Sequence, residues 1–119
     1  MQVSKKILII DDDAGVRNSL ARILRGRGHL VEVAENGEAG IAQGESFQPD
    51  VLLVDIRMPG IDGIETHRRL LARFPHLVGI SMTAYASSEK TREAMESGAV
   101  SVLPKPLNID NLMELVQSL

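Results

Sequence analysis

The feature that most constrains the fold of this sequence is a set of five short apolar segments separated by longer amphipathic ones. Most are nearly continuous apolar runs, which is typical of parallel strands covered on both faces. The segment LVEVA alternates apolar and polar residues, which indicates a position nearer the edge of a sheet. The predicted strands are Lys6–Ile10, Leu30–Ala34, Val51–Val54, Leu77–Met82 and Val100–Leu103.

Each apolar segment is followed by residues with the periodicity of an amphipathic helix. In the first helix, Val16, Leu20 and Leu24 recur on one face every four residues. Glycine, proline and capping side chains indicate where the helices begin and end. The predicted boundaries are Gly26 and Gly28 after the first helix, Asn36 before the second, Gly63 and Pro75 around the third, Ser87 or Ser88 and Gly98 around the fourth, and Asn108 before the fifth.

This alternation predicts an α/β fold, a (βα)5 doubly wound parallel sheet with helices on both faces. We expect the flavodoxin-like strand order 2-1-3-4-5. Of the 119 residues, 44% are hydrophobic and 24% are charged, values typical of a globular domain with one core. The expectation is a single domain over residues 1–119, either free-standing or a fragment of a longer protein.

Composition and charge exclude several functional classes. The sequence has no cysteine, so a disulfide, a thiol nucleophile and a cysteine metal site are excluded. Its net charge of −3 does not favour non-specific binding of nucleic acid. It shows no signal-peptide pattern, and no apolar stretch approaches the roughly 18 residues of a transmembrane helix. We therefore expect a cytoplasmic domain that contacts neither nucleic acid nor membrane.

The first strand runs directly into three acids, in the segment IIDDD. Two ionised carboxylates about 4 Å apart repel each other by roughly 4 kcal/mol at a protein-like effective dielectric. Because the carboxyl ends of parallel strands meet at one edge of a sheet, other polar residues should join these acids there. A cation such as Mg²⁺ would offset the repulsion, and a hydroxyl and an ammonium group would suit a phosphoryl group. The strand-end residues are Asp11, Asp12, Asp13, Asp55, Thr83 and Lys105.

Asp55 is the candidate nucleophile, since attack by a carboxylate on a phosphoryl group gives an acyl phosphate. The alternative for Asp11 and Asp12 is a role at the N-terminus of the first helix, where acids are favoured. One acid suffices for capping, so we assign metal binding to Asp11 and Asp12. We expect Asp13 to cap the helix or to contact a ligand residue rather than the metal. Asp62 fills the turn position ahead of the third helix, which leaves Asp55 available for chemistry.

Five segments carry a resemblance to a known family: ILIIDDD, VEVAENGEAG, PDVLLVDIRMPGIDG, MTAYA and SGAVSVLPKP. In this order and spacing they resemble the receiver domain of a two-component response regulator, with its chemotaxis-regulator-like fold, over essentially the whole chain. The resemblance implies a phosphoacceptor signalling domain that catalyses only its own phosphorylation and dephosphorylation. In such a domain a sensor histidine kinase or a phosphotransfer protein donates the phosphoryl group to Asp55 in a magnesium-dependent reaction.

The resemblance also implies a role for each residue of the site. The metal ligands would be Asp12 directly, Asp11 through water, Asp55, and the backbone carbonyl of Arg57. The phosphoryl group would be held by Thr83, Lys105 and the backbone N–H of Ala84. The Lys105–Pro106 peptide bond would be cis, as X-Pro bonds allow.

Phosphorylation in the family reshapes the surface formed by the fourth helix, fifth strand and fifth helix, which partners then read. We therefore expect an output domain or a target protein, and a homodimer through the last helices is a further option. The first helix carries a basic face that is either solvated or a contact for the kinase. Its residues are Arg17, Arg22, Arg25 and Arg27.

Three positions bear on how this chain would differ from others in the family. Three residues before Lys105 the family often has Tyr or Phe, and here that residue is Val102. Output would then rest on the movement of Thr83 and of the backbone. Arg57 and Tyr85 each lie two residues after a site residue, and we predict that their side chains obstruct water and prolong the phosphorylated state.

Two other functions remain open. The pattern Asp11-x-Asp13 superficially fits the first motif of a haloacid dehalogenase phosphatase, but Ala14 and Gly15 do not continue that motif. A pseudo-receiver, a binding module that is never phosphorylated, would have the same fold, although the intact set of site residues argues against it. The remaining titratable candidates, His29, His67 and His76, are expected to be solvated and to take no part in the chemistry.

Overall fold

A computed structural model describes residues 4–85 and 89–119 of the chain. Within these ranges a five-stranded parallel sheet has the order β2-β1-β3-β4-β5, as predicted. The strands are β1 (Lys6–Ile10), β2 (Leu30–Ala34), β3 (Val51–Asp55), β4 (Val78–Thr83) and β5 (Ser101–Pro104). The helices are α1 (Ala14–Gly26), α2 (Gly37–Phe47), α3 (Gly63–Arg73), α4 (Glu89–Glu96) and α5 (Ile109–Gln117).

The strand boundaries agree with the predictions to within one residue. β3 extends one residue further, to Asp55, and β4 and β5 both begin and end one residue later than predicted. The reason is that inter-strand pairing continues to the carboxyl edge, where the Ile56 N–H donates to the Met82 carbonyl at 3.0 Å and the Lys105 N–H donates to the Thr83 carbonyl at 2.7 Å. The candidate site residues therefore belong to the sheet itself or follow it directly.

Side-chain caps begin four of the helices. The sequence predicts Asp13 and Asn108 as caps, whereas it predicts Asp62 only as a turn residue ahead of α3. The capping oxygens belong to Asp13, Asn36, Asp62 and Asn108, each accepting from the N–H three residues later. Gly28 and Gly98 follow α1 and α4 with φ of 92° and 111°, a left-handed conformation that glycine adopts without strain. Ser87 and Ser88, the predicted caps of α4, lie outside the described residues.

The core lies on both faces of the sheet, and the layers fix where the strand ends point. One face packs against α1 and α5, and the other packs against α2 and α3. Leu30 at the edge strand β2 is 59% exposed, which agrees with its predicted edge position. α2 lies close enough to β1 that a Cβ on Gly40 would stand 2.1 Å from Ile10 Cδ1. None of the helices in the described ranges is long and apolar enough to cross a membrane.

Candidate functional site

Three acids lie together at the carboxyl ends of β1 and β3. Asp11, Asp12 and Asp55 each place one carboxylate oxygen within 4.8 Å of the others, and no comparable cluster of acids, histidine or cysteine occurs elsewhere in residues 4–85 and 89–119. Asp11 is fully buried and Asp55 is 7% exposed, whereas Asp12 is exposed. Clustered carboxylate oxygens open to solvent on one side are the donor set that Mg²⁺ takes in proteins. The acids therefore fit a divalent cation.

Lys105 reaches the two buried acids from the end of β5. Its Nζ donates to Asp11 Oδ2 at 2.7 Å and to Asp55 Oδ2 at 3.0 Å. This ammonium group therefore offsets part of the electrostatic repulsion between the carboxylates of Asp11 and Asp55. The Lys105–Pro106 peptide bond is cis, as predicted.

The ionisation of this pair follows from its burial and its contacts. Burial raises the pKa of Asp55, and the hydrogen bond from Lys105 opposes that rise without cancelling it. Burial works to lower the pKa of Lys105, but the hydrogen bonds to Asp11 and Asp55 outweigh it, so the pKa is raised. Asp55 is therefore a more basic carboxylate than an exposed aspartate, beside a lysine that stays cationic at neutral pH.

Asp11 makes three hydrogen bonds besides the one from Lys105. Its Oδ1 accepts from the Asp13 N–H at 2.9 Å, and its backbone N–H donates to the Ala34 carbonyl at 3.2 Å. The guanidinium of Arg17 donates to the Asp11 carbonyl at 2.8 Å. The sequence predicts that Arg17 lies on a solvated or kinase-binding face of α1. Nothing in the spacing of Arg17 indicates that its side chain contacts the end of β1.

Thr83 ends β4, between the strands that carry Asp55 and lead to Lys105. It is buried, and its Oγ1 accepts from the Tyr85 N–H at 3.0 Å. The Arg57 guanidinium lies 4.5 Å from the centroid of the Tyr85 ring, a cation–π distance. The segments that follow β3 and β4 therefore contact each other through Arg57 and Tyr85. Ala84, which lies between Thr83 and Tyr85 in the sequence, is exposed.

The structure thus brings together Asp11, Asp12, Asp55 and Lys105 by direct contact or proximity, and places Thr83 and Ala84 at the same edge by strand register. Asp13 caps α1 and also donates its backbone N–H to the Asp11 carboxylate, in agreement with the two roles predicted for it. This arrangement can bind a hard cation, present a basic carboxylate to an electrophile and offer an ammonium group to an anion.

The prediction that all three histidines are solvated is wrong for two of them. His76 is exposed, but His29 and His67 are buried. His29 Nδ1 accepts from the Lys5 N–H at 3.1 Å. His67 lies within α3 rather than beside it, and its ring fills the space left by Gly79 of β4, where a Cβ would stand 2.2 Å from Nε2. The missed signal is that glycine, which leaves room for a ring on the facing helix.

The chain is similar in sequence to a known protein family and to curated members of it. The family model described as the response regulator receiver domain matches residues 7–117. The DNA-binding transcriptional regulator NtrC of Salmonella typhimurium is 40% identical over 111 residues, which are 93% of this chain and 24% of that protein. The chain therefore spans about a quarter of the length of that relative.

Two solved structures match almost the whole chain. A CheY-like response regulator receiver domain protein from Methanospirillum hungatei JF-1 has a TM-score of 0.91 and 32% identity, covering 98% of this chain and 93% of that one. The response regulator protein TrrA from Thermotoga maritima, solved in complex with Mg²⁺ and beryllium fluoride, has a TM-score of 0.84 and 31% identity, covering 96% and 97%.

Proposed function

Because this chain belongs to the family of response regulator receiver domains of two-component systems, we propose that Asp55 accepts a phosphoryl group from the phosphohistidine of a sensor histidine kinase or a phosphotransfer protein. The observation that carries this proposal is the buried Asp55 carboxylate, 3.0 Å from the Lys105 ammonium and beside two further acids. The domain is a signalling domain, and the only reactions we assign to it are its own phosphorylation and dephosphorylation.

The cation ligands in this proposal are Asp11, Asp12, Asp55 and the backbone carbonyl of Arg57. Support comes from the clustered oxygens and from the Mg²⁺ in the structure of the Thermotoga maritima relative. Bound Mg²⁺ would neutralise charge on these acids and on the incoming phosphoryl group.

The chain's own residues position the reactants. An oxygen of Asp55 bonds to phosphorus while the P–N bond of the phosphohistidine breaks and its electron pair leaves with the imidazole nitrogen. Lys105, which donates to Asp55 Oδ2, would donate to the phosphoryl oxygens once that carboxylate is phosphorylated. Thr83 and the N–H of Ala84 supply two further neutral donors.

A change at Thr83 gives a route from this chemistry to a partner. Thr83 Oγ1 now accepts from the Tyr85 N–H, so turning its hydroxyl toward a phosphoryl group would alter the loop that leads to α4. We assign the output surface to α4, β5 and α5, where an output domain, a target protein or a second copy of the chain would bind. The single-domain assignment and the cytoplasmic location are part of the same proposal.

Intact mass after incubation with acetyl phosphate tests the proposal. Wild type, Asp55→Asn and a control, Asp50→Asn at the other end of β3, would each be measured with and without Mg²⁺. We expect a gain of one phosphoryl group that needs both Mg²⁺ and Asp55 and that Asp50→Asn retains. No gain by a wild-type protein shown to bind Mg²⁺ would favour a pseudo-receiver, and turnover of a phosphomonoester would favour a phosphatase.

A further inference from the structure

The loop between β3 and α3 is contacted from outside by an acid that sequence reasoning did not single out. Glu38, in the first turn of α2, accepts from the Ile61 N–H through Oε1 at 3.1 Å. Both of its carboxylate oxygens would stand 2.9 Å from a Cβ on Gly60, whose φ is +82°. The carboxylate therefore lies against the backbone of this loop in a space that glycine leaves free.

The rest of the loop is fixed to β3 and α3. The Gly63 N–H donates to the Ile56 carbonyl at 2.8 Å, and a Cβ on Gly63 would stand 2.2 Å from the Asp55 carbonyl oxygen. The Thr66 hydroxyl donates to the Asp62 carbonyl at 2.7 Å. These contacts hold the two ends of the loop, and the contact from Glu38 holds the part between them.

We propose that Glu38 is a positioning residue for the site: its carboxylate holds the 57–61 segment in one conformation and so fixes the Arg57 backbone carbonyl as a cation ligand. The inference rests on the proposed function, in which that carbonyl binds Mg²⁺. Glu38 touches neither the acids nor the phosphoryl group and acts through Ile61. A hydrogen bond to a carboxylate is stronger than one between neutral groups, which suits an exposed loop that must be held still.

A purely structural role predicts a different pattern of effects, and the chain offers a matched control. Glu45 lies on the same helix and joins α2 to α3, since its Oε1 accepts from Arg73 Nε at 3.0 Å. That ion pair lies away from the loop that carries Arg57. If Glu38 served only to attach α2 to the neighbouring chain, as Glu45 does, Glu38→Ala and Glu45→Ala would have the same consequences.

Calorimetric titration with Mg²⁺ separates the two roles. We expect Glu38→Ala to weaken Mg²⁺ binding by about tenfold, at the lower end of the loss found when a residue behind a metal ligand is removed. Glu38→Gln keeps an oxygen acceptor and should stay within about twofold of wild type, and Glu45→Ala should bind Mg²⁺ as wild type does. Equal affinity in Glu38→Ala and wild type, or equal losses in Glu38→Ala and Glu38→Gln, would overturn the proposal.

Amide hydrogen exchange at Ile61, measured without metal, gives a readout that is independent of phosphorylation. Exchange should be faster in Glu38→Ala than in wild type and should be restored by Glu38→Gln. If wild type binds Mg²⁺ but is not phosphorylated on Asp55, the proposed function fails while the positioning role stands. If Ile61 exchanges at the same rate in wild type and Glu38→Ala, the positioning role fails whatever the outcome at Asp55.

Discussion

β3 and the α4–β5 region differ in how firmly they are packed. All five residues of β3 are buried, between β1 and β4 at the centre of the sheet. β5 is an edge strand with three half-buried residues and an exposed Pro104, and Ala94 is the buried residue of α4. Nearby, Met95 and Val100 are 46% and 47% exposed. Segments with few buried apolar contacts open more readily than the core, so the two regions should differ in mobility.

The difference in packing matches two requirements of a signalling domain, a fixed phosphorylation site and a surface that can change. Asp55 ends the fully buried strand, which suits a group whose position relative to Lys105 and Asp11 decides its chemistry. Thr83 lies between the two regions, at the end of β4 and before the loop that leads to α4. Thr83 pairs with Pro104 of β5, so a change at Thr83 would lie directly beside the less firmly packed of the two regions.

The largest expected effect uses one substitution in both regions. Leu53 in β3 and Leu103 in β5 pack against the same core cluster, but Leu53 is buried and Leu103 is only partly buried. We expect Leu53→Ala to lower the free energy of unfolding by about 3 kcal/mol and Leu103→Ala by about 1 kcal/mol. Urea denaturation measures both values. Equal losses of unfolding free energy in the two variants would show that the difference in burial between β3 and β5 does not affect stability.

The next effect concerns the contact between the loops after β3 and β4. If Arg57 and Tyr85 obstruct attacking water, replacing both by alanine should speed dephosphorylation by roughly tenfold, or about 1.4 kcal/mol in the barrier. Loss of phosphoprotein over time, followed by intact mass, measures the rate. Arg73→Ala is the control, since Arg73 stacks on Phe74 away from the site. An unchanged rate in the double variant would remove this role for the pair.

The smallest expected effect is a pH dependence of stability that arises from His67, whose ring lies between α3 and β4. Burial lowers the pKa of His67 from its ordinary value of 6.5, so the unfolded chain binds the proton more readily than the folded one. Stability is then complete above pH 6.5 and is lost as pH falls through the lower folded pKa. His67→Gln should flatten the slope of unfolding free energy against pH below pH 6.5.

The control for this prediction is His76→Gln, the same substitution at a histidine that is exposed rather than buried. His29 also has a pKa lowered by burial and by Lys5, so some slope should persist in His67→Gln. A slope identical to that of wild type in His67→Gln would mean that the protonated ring is accommodated between α3 and β4.

The sheet and most of the site could be predicted because local pattern determines them. Strands buried on both faces have continuous apolar sequences, and parallel strands bring their ends to one edge, which is why Asp11, Asp55, Thr83 and Lys105 could be grouped. The caps Asp13 and Asn108 follow from short-range geometry. The boundaries of β4 and β5 were displaced by one residue because pairing with neighbouring strands, which local pattern does not encode, decides where a strand ends.

Contacts between elements distant in sequence could not be predicted. The bonds from Arg17 to the Asp11 carbonyl and from Ile61 to Glu38 depend on how helices lie on the sheet. The burial of His67 depends on a glycine of another element. Polar residues of helices look solvated in a sequence, and only packing shows which of them turn inward.

The most direct test is amide hydrogen exchange with and without beryllium fluoride and Mg²⁺. It shows whether a phosphoryl-like group on Asp55, at the end of β3, changes the protection of amides in the α4–β5 region. The account predicts that protection changes concentrate at the end of β4, in α4 and in β5, with β1 and β3 unchanged. In Asp55→Asn these changes should be absent. Changes spread equally over β1 and β3, or changes that persist in Asp55→Asn, would contradict the account.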